Sequence, residues 1–257
     1  MTLPAQGDHG EPLTQSARWL DDVHATSVLQ DLARLDRMTA RIAASSPPGS
    51  IETVLDLGCG TGAAVTHVAR ALQIPRRHGV DVDSGRLERA AELGVITHHC
   101  DLDRDRVPLE DGSVDLVTSF GAIEHLVWLD HFLDEVARVL RPGGWFLLAA
   151  PNLGSWINRF ALLFGYQPRD VEVSQRAPAG ILPIYRDAGQ LAPLGHVHSV
   201  TLRAMRQLVE RHDLSVQAVA GTSPYPRRLT RLADAIFARI PSWSRRYLLL
   251  ARRADTG

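Results

Sequence analysis

Three aspartates, a set of alternating glycines and one acid–histidine pair are the residues of this 257-residue chain whose types and spacing could do chemistry. Asp56 stands at the end of the apolar run that begins at Val54, and Gly58, Gly60 and Gly62 follow at alternate positions. Glycine permits both a sharp strand-to-helix turn and a close backbone approach by a ligand. Asp81 lies 21 residues after Gly60 and ends the short strand His78-Gly79-Val80-Asp81. A carboxylate there can accept both hydroxyls of a ribose across the first turn. Asp101 follows the strand-like stretch Gly94 to His99, and Glu124-His125 comes just after a fourth strand. Histidine, with its near-neutral intrinsic pKa, suits the removal of a proton from an acceptor.

Several chemistries fail on the same residues. The register is G-x-G-x-G rather than the dinucleotide G-x-G-x-x-G, which counts against a nicotinamide site. All 28 basic residues counted as Lys+Arg are arginine, so a phosphate-binding P-loop and lysine Schiff-base chemistry are excluded. The two cysteines, Cys59 and Cys100, and the eleven histidines show no metal spacing, and no metal is expected, with His98-His99-Cys100 the nearest to an exception. Each acid also has a plainer reading: Asp56 capping a turn, Asp83 capping the next helix, Asp101 solvating a loop.

These residues need elements to hold them. Short apolar runs alternating with helical stretches read as a doubly wound α/β sheet. The helix Ala63 to Leu72 follows the glycine turn, and a second runs from Ser84 to Leu93. The turn at Gly112 feeds a strand through Ser119, a helix runs from about Leu129 to Leu140, and Arg141-Pro142-Gly143-Gly144 separates it from the strand Trp145 to Ala150. Thr201 caps a helix through His212, strands follow at Leu214–Ala220 and Tyr247–Ala251, and Asp234 to Arg239 form a short helix ended by Pro241.

Outside this core, residues from about Leu13 to Ala44 read as an amphipathic helix, with Trp19, Val23, Leu29, Leu32, Leu35, Met38 and Ile42 near one stripe. Residues 1–49 are expected to form a helical lid or a helix packed on the sheet, and 50–257 the main domain. A long insertion at about 151–199, with an aromatic start at Trp156, Phe160, Phe164 and Tyr166, leaves the carboxyl edge of the sheet, where open α/β folds bind ligands. The acceptor pocket is placed between that insertion and the N-terminal helix. His196, His198, Tyr166 and Tyr185 are reserve candidates for chemistry.

VLDLGCGTG at Val54 to Gly62, GVDVD at Gly79 to Asp83, CDLD at Cys100 to Asp103, DGSVDLV at Asp111 to Val117 and RVLRPGG at Arg138 to Gly144 occur together and in order. Through them the chain resembles the class I S-adenosylmethionine-dependent methyltransferases, strongly over Ile51 to Ala150. The resemblance implies a Rossmann-like seven-stranded sheet with helices on both faces and an antiparallel last strand. It implies S-adenosylmethionine as cofactor, with Asp56, Gly58, Cys59 and Gly60 at its methionine and ribose end and Asp81 on the ribose diol. Val82 would lie against the adenine, Asp101 and Leu102 would hold the ring, and Ser119 and Phe120 would pass close to the reacting methyl. His125 would then be the base, with Glu124 orienting it or lining the pocket. S-adenosylmethionine carries no phosphate, so the lack of a Walker lysine costs nothing.

The expected activity is methylation of a small-molecule or lipid-like acceptor at oxygen or carbon. Ser119-Phe120-Gly121-Ala122 stands where methyltransferases of planar nitrogens carry an Asn/Asp-Pro-Pro-Tyr/Phe motif. A finer resemblance, to the methionine-biosynthesis W proteins, lies in CDLDRDRVPLEDGSVDLV and PNLGSWINRFALLFGYQP. It implies an alternative, a partner that binds and activates an acyltransferase. Net charge is −1, but Arg227 to Arg253 carries eight arginines against the single acid Asp234. Solvated arginines around a terminal helix and strand are the preferred reading over peripheral membrane contact, and no nucleic-acid partner is expected. The acid- and proline-bearing start, with no run of 18 apolar residues, points to the cytoplasm.

Overall fold

The computed structural model describes residues 31–174, 176–188, 194–223 and 229–255. A seven-stranded sheet runs through it, made of β1 (Thr53–Leu57), β2 (Arg76–Asp81), β3 (Ile96–His99), β4 (Val114–Phe120), β5 (Leu140–Pro151), β6 (Leu214–Thr222) and β7 (Arg246–Arg253). Their order is β3-β2-β1-β4-β5-β7-β6. Neighbours pair in parallel from β3 through β5, and β7 is antiparallel to both β5 and β6. The order reverses between β1 and β4, which opens a crevice at the carboxyl ends of the central strands.

Every residue of β1 is buried, as expected of a parallel strand covered on both faces. Alternate side chains go to opposite layers. Leu55, Leu57, Val117, Phe146 and Leu148 join one core with α4 (Leu129–Val139) and α6 (Leu202–Arg211), through Phe132, Leu133, Val136, Met205 and Val209. Val54, Leu116 and Leu147 join the other, with α1 (Leu32–Ala44), α2 (Ala63–Leu72) and α3 (Ser84–Glu92), through Leu35, Ile42, Val65, Val68 and Leu87. Each such side chain contributes roughly 1.5–3 kcal/mol of burial. Two shorter helices, α5 (Trp156–Leu163) and α7 (Arg231–Phe237), lie in the connections flanking the last strands.

The local signals act as expected at the helix starts. Asp83 accepts the Arg86 backbone N–H and Thr201 that of Ala204, each as an N-cap. The segment Arg141-Pro142-Gly143-Gly144 differs: it lies inside β5, which starts at Leu140 directly after α4. Pro142 cannot continue a helix and disfavours helical backbone at Arg141. The strand absorbs the extra residues as an irregularity, its pairing with β4 jumping from Val114↔Leu140 to Leu116↔Trp145. The helix expected at Asp234 begins three residues earlier and ends at Phe237.

Only the end of the expected N-terminal helix falls within the described residues. Leu35, Met38 and Ile42 of α1 are buried against α2 and the sheet, and His67 of α2 meets Asp36 at 2.9 Å. Trp19, Val23 and Leu29 lie outside the described residues.

Gly79 ties β2 to the glycine turn. A Cβ added there would sit 2.7 Å from Cys59 Sγ and 3.0 Å from Val95 Cγ1. Gly79→Ala is therefore expected to cost about 1–3 kcal/mol of stability through overpacking. Chemical denaturation would show a lower midpoint with an unchanged slope; an unchanged midpoint would contradict the packing described.

Candidate active site

Sequence chemistry places the first functional side chain, Asp56, on β1 one residue before the chain must leave the sheet. It is 1% exposed, and Thr118 Oγ1 on β4 donates to its Oδ1 at 2.7 Å. The turn that follows is held by backbone geometry. Gly58, Gly60 and Gly62 all have positive φ, and the N–H groups of Gly58 and Cys59 both donate to Val80 O at 2.9 Å. A Cβ at Gly58 would come within 2.4 Å of Ala122 Cβ, so glycine there lets the segment after β4 close on the turn. A Cβ at Gly60 would meet nothing, so that backbone faces open space.

Asp81, at the tip of β2, does more than its position in the sequence foretells. Its Oδ2 accepts the Gly60 N–H at 2.9 Å and its Oδ1 the Asp83 N–H at 3.0 Å, so one carboxyl group fixes the glycine turn and the start of α3 together. A carboxylate offers about four lone-pair directions, which leaves acceptor capacity on both oxygens.

The turn, the tips of β2 and β4 and the loop after β3 enclose a cavity of about 310 Å³. Of the residues expected at the cofactor, Asp56, Gly58, Cys59, Gly60, Asp81, Val82, Asp101, Leu102 and Phe120 line it, and so does His125. Ser119 and Glu124 do not. Ser119 is fully buried in β4 and its hydroxyl donates to Leu57 O at 2.9 Å, which makes it a tie between β4 and β1 behind the wall. Strand alternation turns Phe120, not Ser119, toward the opening.

Gly121, expected with Phe120 beside the reacting methyl, lines the cavity too, as do Arg86, Cys100 and Asp103, to which sequence reasoning gave no part in the site. Asp103 Oδ1 accepts the N–H groups of Val127 and Trp128 at 2.7 and 2.8 Å, capping the approach to α4. The acid pair of C-D-L-D was the available signal, read only at its first member. Both cysteines are free. Burial, with the charges of Asp56 and Asp81, pushes the Cys59 thiol up, and burial pushes Cys100 up to about 11, so neither is a thiolate nucleophile at neutral pH.

Glu124 and His125 occupy a 3-10 turn, Ile123–His125, just past β4. His125 Nδ1 lies 3.0 Å from Gly195 O. A carbonyl can only accept, so Nδ1 carries the proton and Nε2 is the basic nitrogen of the neutral ring. Glu124 is 2% exposed, and Arg246 Nη2 donates to its Oε1 at 3.2 Å. Its backbone carbonyl accepts from Val197 and His198 at 2.8 and 3.1 Å. Glu124 is thus a buried anchor of the turn rather than a wall of the pocket.

The insertion supplies the segment facing that turn. Glu172 accepts the backbone N–H groups of Leu194, Gly195 and His196 and pairs with Arg169 at 3.0 Å. His196 sets its ring edge-on to His125, with centroids 5.1 Å apart, and burial holds its pKa below the ordinary histidine value despite the nearby charges of Glu124 and Asp170. Glu124, His125 and His196 offer donor atoms within 4.8 Å of one another. Tyr185 is buried with Ile157 and Ile181, away from the cavity. No helix among the described residues is long and apolar enough to cross a membrane.

The sheet order, the glycine turn and the acids at successive strand tips define a Rossmann-like α/β protein with a ligand cavity at the carboxyl ends of its central strands. Residues 55–148 match the family model of the methyltransferase domain, and this part of the chain is a class I S-adenosylmethionine-dependent methyltransferase domain. A probable S-adenosylmethionine-dependent methyltransferase of Mycolicibacterium smegmatis is 41% identical over 101 residues, 38% of each chain. A malonyl-[acyl-carrier protein] O-methyltransferase of Alcanivorax borkumensis is 36% identical over 175 residues, 66% of this chain and 56% of its own. The chain thus spans between about two fifths and just over half of the length of these curated relatives. The fold is shared with an S-adenosylmethionine dependent methyltransferase from Mesorhizobium loti, at a TM-score of 0.55 and 18% identity over 83% of this chain and 96% of that one.

The residues present fit S-adenosylmethionine. Its ammonium group needs a carboxylate, its ribose an acceptor pair, and its approach a backbone free of side chains; Asp56, Asp81 and Gly60 provide these. Burial, together with the charge of Asp81 and against the Thr118 hydrogen bond, pushes the Asp56 pKa up to about 7. Its folded value lies above the ordinary carboxylate value of 3.8, so ionising it costs stability that is lost as pH rises from about 4 through 7. Asp56→Asn, which keeps an acceptor for Thr118, should raise stability at pH 8 by up to ~4 kcal/mol while weakening cofactor binding. Melting curves at pH 8 and pH 5 test this: the gain must shrink at the lower pH, and no gain at pH 8 would contradict it.

Proposed function

We propose that the chain is an S-adenosylmethionine-dependent methyltransferase that acts in the cytoplasm on a small-molecule or lipid-like acceptor, at oxygen or carbon. The observation that carries this reading is that His125, with Nδ1 committed to Gly195 O, lines the same cavity as Asp56, Asp81 and Phe120. Bound S-adenosylmethionine supplies an electrophilic methyl on a sulfonium. Asp56 and the Gly58–Gly60 backbone would hold its methionine end, and Asp81 its ribose. His125 Nε2 would take the acceptor's proton, and Gly195 O would stabilise the resulting imidazolium through Nδ1–H. Glu124, paired with Arg246, keeps the 3-10 turn in place. The O-methyltransferase among the relatives supports oxygen as the acceptor atom.

In this reading 50–257 is the catalytic domain and the insertion at about 151–199 forms the acceptor side. The contact of Gly195 with His125 supports the insertion's part. The test is a screen of hydroxy acids, phenols, acyl thioesters and amphiphiles for release of S-adenosylhomocysteine. Turnover with an oxygen or carbon acceptor supports the reading. Cofactor binding without turnover on any of these classes would overturn it in favour of a partner protein with a retained cofactor fold.

A further inference from the structure

Away from the cavity, α5 and α7 carry an unusual load of exposed apolar side chains. On α5 and its end, Leu162, Leu163 and Phe164 are 61%, 75% and 65% exposed, while Ile157 and Ala161 face inward. On and before α7, Leu229 and Leu232 are 88% and 77% exposed, and Ile236 follows Leu232 by one turn on the same face. Five aromatic rings in successive contact join the two helices: Trp243, Phe237, Trp156, Phe160 and Phe164, with centroids 5.4, 5.7, 6.1 and 6.2 Å apart. None of these residues lines the cavity.

The charge on this face has one sign. Arg159, Arg231 and Arg239 are exposed among the apolar groups. No acid occurs between Leu153 and Pro168, and Asp234 is the single acid from Leu229 to Arg253. Asp234 is 1% exposed and already compensated, accepting from Arg245 Nε at 2.6 Å, Trp156 Nε1 at 2.9 Å and Thr230 Oγ1 at 2.7 Å. Its charge is spent inside, and the exposed charges of α5, α7 and the turn after it are all arginine. A water-soluble surface gains nothing from exposed leucines set among indoles and arginines; an occupant with an apolar interior and an anionic rim complements all three.

We propose that the α5–α7 face docks peripherally on an anionic phospholipid surface, with Leu163, Phe164, Leu232 and Ile236 entering the acyl boundary and Arg159, Arg231 and Arg239 meeting the headgroups. α5 follows β5 at the carboxyl edge of the sheet, so docking brings that edge toward the bilayer. Charge complementarity selects lipid headgroups over a second copy of the chain, whose identical arginines would repel. The inference is independent of which acceptor is methylated.

Flotation of the full chain with vesicles of phosphatidylcholine alone, and of phosphatidylcholine with phosphatidylglycerol, tests it. Binding is expected only to the anionic vesicles and should weaken as salt is raised. Each arginine lost should weaken it roughly fivefold. The pair Arg231→Glu and Arg239→Glu should abolish it, as should the pair Leu163→Asp and Leu232→Asp, with melting temperature and S-adenosylmethionine titration unchanged in both. No binding to either vesicle, equal binding to both, or binding that survives both double variants would overturn the proposal. So would a protein that self-associates in sedimentation, becomes monomeric in the leucine variant and ignores vesicles, because a second copy would then be the occupant.

Discussion

Asp81→Ala is expected to abolish measurable cofactor binding, with a loss of 100-fold or more. The wild-type carboxyl group holds the Gly60 and Asp83 N–H groups at 2.9 and 3.0 Å, and S-adenosylmethionine would add its ribose hydroxyls to the same oxygens. Hydrogen bonds to a charged group are worth about 1.5–3 kcal/mol each, so losing two at the ribose corresponds to a factor of roughly 10² or more. Relaxation of the glycine turn adds to that, because alanine leaves the Gly60 N–H with no carboxylate. Asp81→Asn separates the two effects: one oxygen still accepts for the turn while the amide presents a donor to the ribose. Calorimetric titration should therefore rank wild type above Asn and Asn above Ala, with Asn retaining more thermal stability than Ala. Wild-type affinity in the Ala variant would mean that Asp81 only shapes the turn.

His125→Gln is expected to lower turnover by about 10²–10⁴ while leaving cofactor binding in place, the range for removal of a general base. Gln can still donate to Gly195 O and keep the wall intact, but has no basic nitrogen. The readout is kcat on an acceptor taken from the screen, with the cofactor titration alongside. A turnover loss matched by an equal loss of cofactor affinity would make His125 a wall of the pocket and nothing more. An acceptor that is already anionic, such as a carboxylate, should be far less sensitive to the change than a hydroxyl, since it has no proton to surrender.

Much of this was legible in the chain because the signals are local. Short apolar runs marked β1, β4 and β5, alternating glycines marked the turn, and Asp83 and Thr201 marked helix starts, each within a few residues of its partner. Asp81 was legible as a ligand but not as a clamp, since its hold on Gly60 spans 21 residues and involves only a backbone N–H. Ser119 misled because a strand places neighbours on opposite faces, and the register that sends Phe120 to the cavity sends Ser119 to Leu57 O. Glu124 was paired with His125 by adjacency. Its partner Arg246 is 122 residues away on β7 and no pattern announces it.

The insertion was the least legible part. Its order rests on Glu172 cupping three backbone N–H groups 22 to 24 residues downstream, and backbone partners leave no trace in side-chain type. The segment that forms α5 was visible as the aromatic start of the insertion, and its surroundings depend on α7 packing beside it through Trp156 and Phe237. In the same way Asp234 stood in the chain only as the single acid of an arginine-rich segment, and folding turned it inward against Arg245.

The central claim is that the cavity at the carboxyl ends of β1, β2 and β4 holds S-adenosylmethionine. Calorimetric titration of the purified full chain with S-adenosylmethionine and S-adenosylhomocysteine tests it most directly, with NAD as the competing nucleotide. One-to-one micromolar binding of both, lost in Asp81→Ala and absent with NAD, is the predicted result. No heat and no melting shift with either sulfur ligand, or tighter binding of NAD, would contradict the account.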